Sequence, residues 1–181
     1  MKNSEYIPLA IRTESPLVIG ENRHLSRLLH AAVGVSTEIA EFFDSGGNPV
    51  NEVEELGDIC WYLAIATDEI AATGLVIQSG GRKSKSKREE FQREALLRSG
   101  VFLDTVKKYA FYGKVPKETD LVMQVFNLWQ AVANLSAACG YEFSEVMEAN
   151  IRKLRVRYPE KFTVEAEASR NVPAEQAAVS K

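Results

Sequence analysis

Four carboxylates set in two pairs are the residues of this chain best placed to do chemistry. Glu38 and Glu41 lie three residues apart, as do Glu55 and Asp58, with the turn-forming stretch DSGGNP (44–49) between the pairs. Side chains three apart share a helix face. Two antiparallel helices joined at that stretch would therefore aim all four acids at one another. Facing carboxylates repel unless cations lie between them. Hard oxygen ligands suit Mg²⁺, above all where the substrate is a phosphate. Acid pairs at this spacing also decorate solvated helix faces, and on spacing alone both readings stay open. Two features favour a shared site. The pairs fall on consecutive helices, and Asp58 abuts the apolar run ICWYLAIA (59–66), where an unpaired charge would be costly. The helical wheel turns Glu41 away from the apolar face of its own helix, so it joins the others only if the second helix packs off-centre.

The elements that must hold these acids follow from the hydrophobic period. Asn22 is placed to cap a helix running to about Phe43, with Leu25, Leu28, Leu29, Ala32, Val35, Ile39 and Phe42 on one face. A second helix is predicted over 50–74. Apolar on every side from 59 to 66, it reads as the central, buried helix. Further helices are predicted over 87–111, 118–138 and 144–157, with Gly113 and Gly140 closing two of them, Ser144 capping the last and Pro159 stopping it. Residues 1–21, with two prolines and no helical period, read as an extended N-terminal arm. Residues 79–87 read as a basic linker, and 163–181, rich in Ala, Glu and Ser, as a mobile C-terminal tail. No β-alternation is present. The expected fold class is all-α, a bundle of four or five helices spanning residues 22–162.

Composition narrows the function. The 181 residues are 45% hydrophobic and 26% charged, with a net charge of −3, which suits one globular domain and gives no reason to expect specific nucleic-acid binding. The first residues lack an apolar signal core, and 59–66 is far too short to cross a bilayer, so a cytoplasmic protein without a membrane partner is expected. Cys60 and Cys139 sit in apolar stretches and read as buried thiols. There is no phosphate-binding GxxxxGK[ST] loop and no HExxH, and His24 and His30, six apart, read as surface residues. Trp61 and Trp129 lie in apolar runs and read as core residues, though either could stack on a base. Asn150, Lys153 and Arg157 fall on one helix face, followed by Tyr158. They read either as phosphate and sugar ligands or as a basic last turn that complements the helix dipole. Lys107, Lys108, Tyr112 and Lys114 allow the same two readings.

The stretches GVSTEIAEFF (34–43) and EELGDICWYL (54–63) resemble the MazG-like all-α nucleoside triphosphate pyrophosphohydrolases, which carry ExxE on one helix and ExxD on the next. FYGK (111–114) and NIRKLRVRYPEKF (150–162) are similar to later segments of that family, so the likeness covers residues 22–162. The resemblance implies a bundle of the all-α NTP pyrophosphatase type, oligomerising through helix faces as a homodimer or homotetramer. It implies hydrolysis of a nucleoside triphosphate between its α and β phosphates, giving monophosphate and pyrophosphate. The metal ligands would be Glu38, Glu41, Glu55 and Asp58, holding Mg²⁺ with Mn²⁺ as a substitute. Glu38 or Glu41 would be the catalytic base. Asn150, Lys153, Arg157, Tyr158 and Lys114 would bind substrate. A dUTP- or dCTP-selective member of the superfamily is the alternative enzyme, and a non-catalytic helical interaction module is the alternative from another class.

Overall fold

The computed structural model describes residues 1–16, 19–77 and 87–180, and among these it is all-α, with eight helices and no strand. The order is α1 (Asn3–Ile11), α2 (Arg23–Asp44), α3 (Pro49–Glu69), α4 (Arg88–Tyr112), α5 (Glu118–Cys139), α6 (Phe143–Arg157), α7 (Val164–Ala168) and α8 (Val172–Val179). Five long helices, α2 to α6, form the bundle. The basic stretch 79–87 lies outside the described residues except for the exposed Lys87.

α2 begins where a capping residue and an apolar stripe coincide. The Asn22 side chain accepts the Leu25 backbone N–H at 2.9 Å, satisfying one of the free donors at the helix start. Leu28, Ala32, Val35, Ile39 and Phe42 are then fully buried against α3 and α4. Each large apolar side chain removed from water in this way contributes about 1.5–3 kcal/mol. Asn48 caps α3 through its bonds to the N–H groups of Val50 and Asn51. α3 is the central helix, packing on α1, α2, α5, α6 and α8. Ile59, Cys60 and Leu63–Ala66 are buried, but Trp61 and Tyr62 are only half-buried, so the apolar run is not enclosed on every side.

Two close approaches fix how α3 meets its neighbours. At Gly34 of α2 a Cβ would sit 2.2 Å from the Tyr62 ring, so only glycine admits that ring. At Gly57 of α3 a Cβ would lie 2.8 Å from Cβ of Asn150, so α6 comes close to α3 one residue before Asp58.

Several sequence expectations are corrected. Residues 1–21 are not an extended arm: residues 3–11 form α1, whose Tyr6, Ile7 and Ala10 are fully buried. Pro8 argued against a helix, but burial of that face outweighs its cost of about 3 kcal/mol. Residues 163–181 are not a free tail. Thr163 and Asn171 cap α7 and α8, and α8 docks on α6 and α3 with Glu175, Ala178 and Val179 buried. α3 stops at Glu69 rather than near Gly74. Acids at 68 and 69 oppose the negative end of the helix dipole, and Ala71 turns to φ 53°. Glu142, not Ser144, precedes α6, and Cys139 is half-buried rather than buried.

Candidate functional site

α2 and α3 run antiparallel from the turn at 45–48, which sets the third turn of α3 opposite the late turns of α2. Oxygen atoms of Glu38, Glu55 and Asp58 thereby come within 4.8 Å of one another. They line a cleft of about 530 Å³ that Glu41, Glu54, Trp61, Tyr62, His30, Arg157, Tyr158 and Arg170 also line. Glu41, expected as a fourth ligand, is exposed and lies outside the close set of three, although it lines the same cleft.

The acids are held from below. Tyr6 donates its hydroxyl to Asn150 Oδ1 at 2.7 Å, and Asn150 Nδ2 donates to Asp58 Oδ1 at 2.9 Å. Lys153, fully buried, pairs with Asp58 Oδ2 and lies 3.4 Å from Glu54 Oε1. Burial works against the charge on Lys153, but Asp58 and Glu54 outweigh it and its pKa is raised. A buried, doubly paired lysine of this kind stays an ammonium and fixes one carboxylate oxygen in place.

That single cation does not serve the whole cluster. Among the described residues no lysine or arginine forms an ion pair with Glu38, Glu41 or Glu55. Partial burial, then the charges of Asp58, Glu41 and Glu55, push the Glu38 carboxyl up to about 8. Burial and the Asp58 charge push Glu55 up to about 7, with Lys153 pulling the other way. Burial, followed by Glu38 and Asp58, raises the Tyr62 hydroxyl to about 12. Without a further positive charge these acids hold protons that water would otherwise take.

The donor set fits Mg²⁺. It is made of hard carboxylate oxygens, closely grouped and short of positive charge, and Mg²⁺ is commonly held by one or two carboxylates with the remaining positions left to water and phosphate. Glu38, Glu55 and Asp58 would hold it, with Glu41 at the rim.

Of the remaining predicted residues, Arg157 and Tyr158 line the cleft, but Asn150 and Lys153 do not. Expected at the substrate, these two are buried beneath the acids and bonded to Asp58. Asn150 uses its carbonyl on Tyr6 and its amide on Asp58, which leaves it a support for the carboxylate. Lys114 is exposed in the segment after α4 and does not reach the cleft. Lys107 and Lys108 pair with Asp104 on the surface. His24 and His30 are both exposed, but the His30 ring packs edge-on to Trp61 and Tyr62 at 5.7 and 5.3 Å and helps wall the cleft. Trp61 donates its indole N–H to Ala10 O and Thr13 Oγ1, while Trp129 is fully buried and bonded to Thr67.

Sequence reasoning missed Glu54, although Glu54 and Asp58 at i, i+4 share a face, which was a usable signal. It also missed Glu167 and Arg170, which line the cleft, and the buried Glu175 behind them, in a C-terminal segment whose helices composition had hidden. Compared with protein-family models, with curated proteins and with solved structures, the chain finds no match in any of the three.

Proposed function

We propose that the chain is a Mg²⁺-dependent nucleoside triphosphate pyrophosphohydrolase, cleaving between the α and β phosphates to give a monophosphate and pyrophosphate. The observation that carries the reading is the group of Glu38, Glu55 and Asp58 within 4.8 Å of one another, of which only Asp58 is ion-paired among the described residues, in a cleft large enough for a nucleotide. The likeness of residues 34–43, 54–63 and 150–162 to the MazG-like family supports it from the side of sequence.

Bound Mg²⁺ would neutralise the acids and polarise phosphate oxygens. The chain's own groups divide the remaining work. Glu41, on the rim and outside the close set, is the best-placed base, with Glu38 the other candidate. It would take a proton from the water that attacks the α-phosphorus while the bond to the β-phosphate oxygen breaks and pyrophosphate leaves. Asn150 and Lys153 keep Asp58 from rotating, so the site is formed before substrate arrives. Arg157 and Tyr158 would meet the phosphate chain, and the half-exposed Trp61 wall would meet the base.

The test is to incubate the pure chain with each NTP and dNTP and Mg²⁺, and to measure pyrophosphate and monophosphate. Release of both products, lost on chelation, is expected. No turnover of any nucleotide would leave the non-catalytic module as the better reading, and turnover confined to dUTP or dCTP would select that branch. The homo-oligomer is proposed on the exposed apolar residues Leu96, Leu97 and Val101 of α4 and Met123 of α5, and sedimentation equilibrium tests it. No helix among the described residues is long and apolar enough to cross a membrane.

A further inference from the structure

A carboxylate of α8 is buried behind two arginines of the cleft wall, Arg157 at the end of α6 and Arg170 between α7 and α8. Oε2 of Glu175, on α8, accepts from Arg157 Nε at 3.1 Å, from Arg157 Nη2 at 2.5 Å and from Arg170 Nη2 at 3.1 Å. Glu175 is wholly buried, and its other oxygen, Oε1, has no partner. Arg157 and Arg170 both line the cleft; Glu175 does not. α8 is tied to α6 by the bond from Arg152 Nε to Ala178 O at 3.0 Å and by burial of Ala178 and Val179.

We infer that Glu175 is a positioning residue and that Arg157 and Arg170, gathered by it, form one seat for the phosphate groups of the substrate in the same cleft as Glu38 and Glu55. The inference rests on the reading of the cleft as a polyphosphate site and assigns α7 and α8 a part in it. Glu175 engages the Nε–Nη2 edge of the Arg157 guanidinium, and neither bond uses Nη1. A guanidinium braced on one edge offers the other in a fixed direction, which suits bidentate recognition of phosphate. Two arginines share one carboxylate, so the group keeps a net positive charge. A carboxylate buried with one unpaired oxygen is costly in isolation. Its retention fits a residue that serves its partners.

The test is pyrophosphate binding by calorimetry in the presence of Mg²⁺, together with KM and kcat for a nucleoside triphosphate, on the full chain. Arg170→Gln touches a partly exposed side chain and should leave the melting temperature and Mg²⁺ binding unchanged. It is expected to weaken pyrophosphate binding about tenfold and to raise KM with little change in kcat. Glu175→Gln keeps an acceptor for Arg157 and should weaken binding less than Glu175→Ala does, a grading that a purely structural role would show in stability but not in KM. Pyrophosphate bound equally by the wild-type chain and by Arg170→Gln overturns the inference. So does tighter binding in Glu175→Gln, because Glu175 would then be a competitor for the arginines. A wild-type chain that binds no pyrophosphate overturns this inference and the hydrolase reading together, whereas equal binding by the variants leaves the hydrolase reading standing.

Discussion

α3 carries an acid cluster at each end, and the same partner helix, α2, faces both. At the C-terminal end Glu14, Asp68 and Glu69 converge on Arg27, which lies within 2.8 Å of a carboxylate oxygen of each. At the N-terminal end Glu38, Glu41, Glu54, Glu55 and Asp58 line one cleft, and the buried Lys153 beneath them pairs only with Glu54 and Asp58 among the described residues. The first cluster is closed: three acids are satisfied by one guanidinium, and the opposing helix dipole is offset as well. The second is open, with Glu38 and Glu55 raised to about 8 and 7 because burial and their neighbours' charges go uncompensated. Three or more carboxylates gathered by a protein cation describe architecture. Under the proposed function, the acids that no protein cation among the described residues pairs, Glu38, Glu41 and Glu55, are the place for a cation from outside.

The sharpest way to break this comparison is to neutralise one acid in each cluster. Glu38→Gln mimics the protonated form that Glu38 already favours near neutral pH, so the fold should tolerate it. Pyrophosphate release should nevertheless fall about a thousandfold or more, because a ligand and a base candidate are lost together. Unchanged turnover in Glu38→Gln would dissolve the open cluster as a site. In the closed cluster the effect should be the reverse. Arg27→Met leaves three carboxylates facing one another around an apolar side chain and should cost about 3 kcal/mol in urea unfolding, with kcat per folded molecule unchanged. A loss of kcat without loss of stability would show that the closed cluster also serves the chemistry.

Legibility in the sequence divides along a related line. Features set by short-range pattern were readable: the Asn22 cap, the α2 stripe from Leu28 to Phe42, the break at 44–49, and the convergence of Glu38, Glu55 and Asp58 from their spacing. Features set by pairing across the chain were not. Tyr6 reaches Asn150 over 144 residues and Lys153 reaches Asp58 over 95, and nothing local marks either partner. α1 was masked by Pro8, whose penalty is local whereas the burial of Tyr6 and Ile7 that repays it is tertiary. α8 was masked by its Ala-rich composition, although Asn171 followed by Pro173 is a helix-start signal.

A smaller effect is expected where the support of the open cluster is disturbed without removing charge. Gly57→Ala would bring a Cβ 2.8 Å from Cβ of Asn150, so α6 must shift. Overpacking of this kind costs about 1–3 kcal/mol. Because Asn150 orients Asp58, kcat should also fall, by about tenfold, and a crystal structure of the variant should show the Asn150–Asp58 bond lengthened. Unaltered kcat with lowered stability would mean that Asp58 does not need this support.

The subtlest measurement is the pH dependence of melting, and its sign differs from ordinary acid denaturation. A carboxyl whose folded pKa lies above its unfolded value binds protons more tightly when folded, so stability falls as pH rises between the two values. For Glu38 and Glu55 the contribution is complete below about 4.5 and is lost as pH passes about 7 to 8. In a chelator, the melting temperature should therefore decline from pH 5 to pH 8, and Glu38→Gln should flatten the decline and melt higher than wild type at pH 8. Added Mg²⁺ competes with those protons, so its stabilising effect should grow over the same interval and shrink in Glu38→Gln. Closed clusters lack this signature: Arg27→Met should lower the whole curve and leave the Mg²⁺-dependent rise with pH intact. A melting temperature that climbs from pH 5 to pH 8 in the metal-free wild-type chain would mean that Glu38 and Glu55 are compensated in solution, and the contrast between the two ends of α3 would vanish.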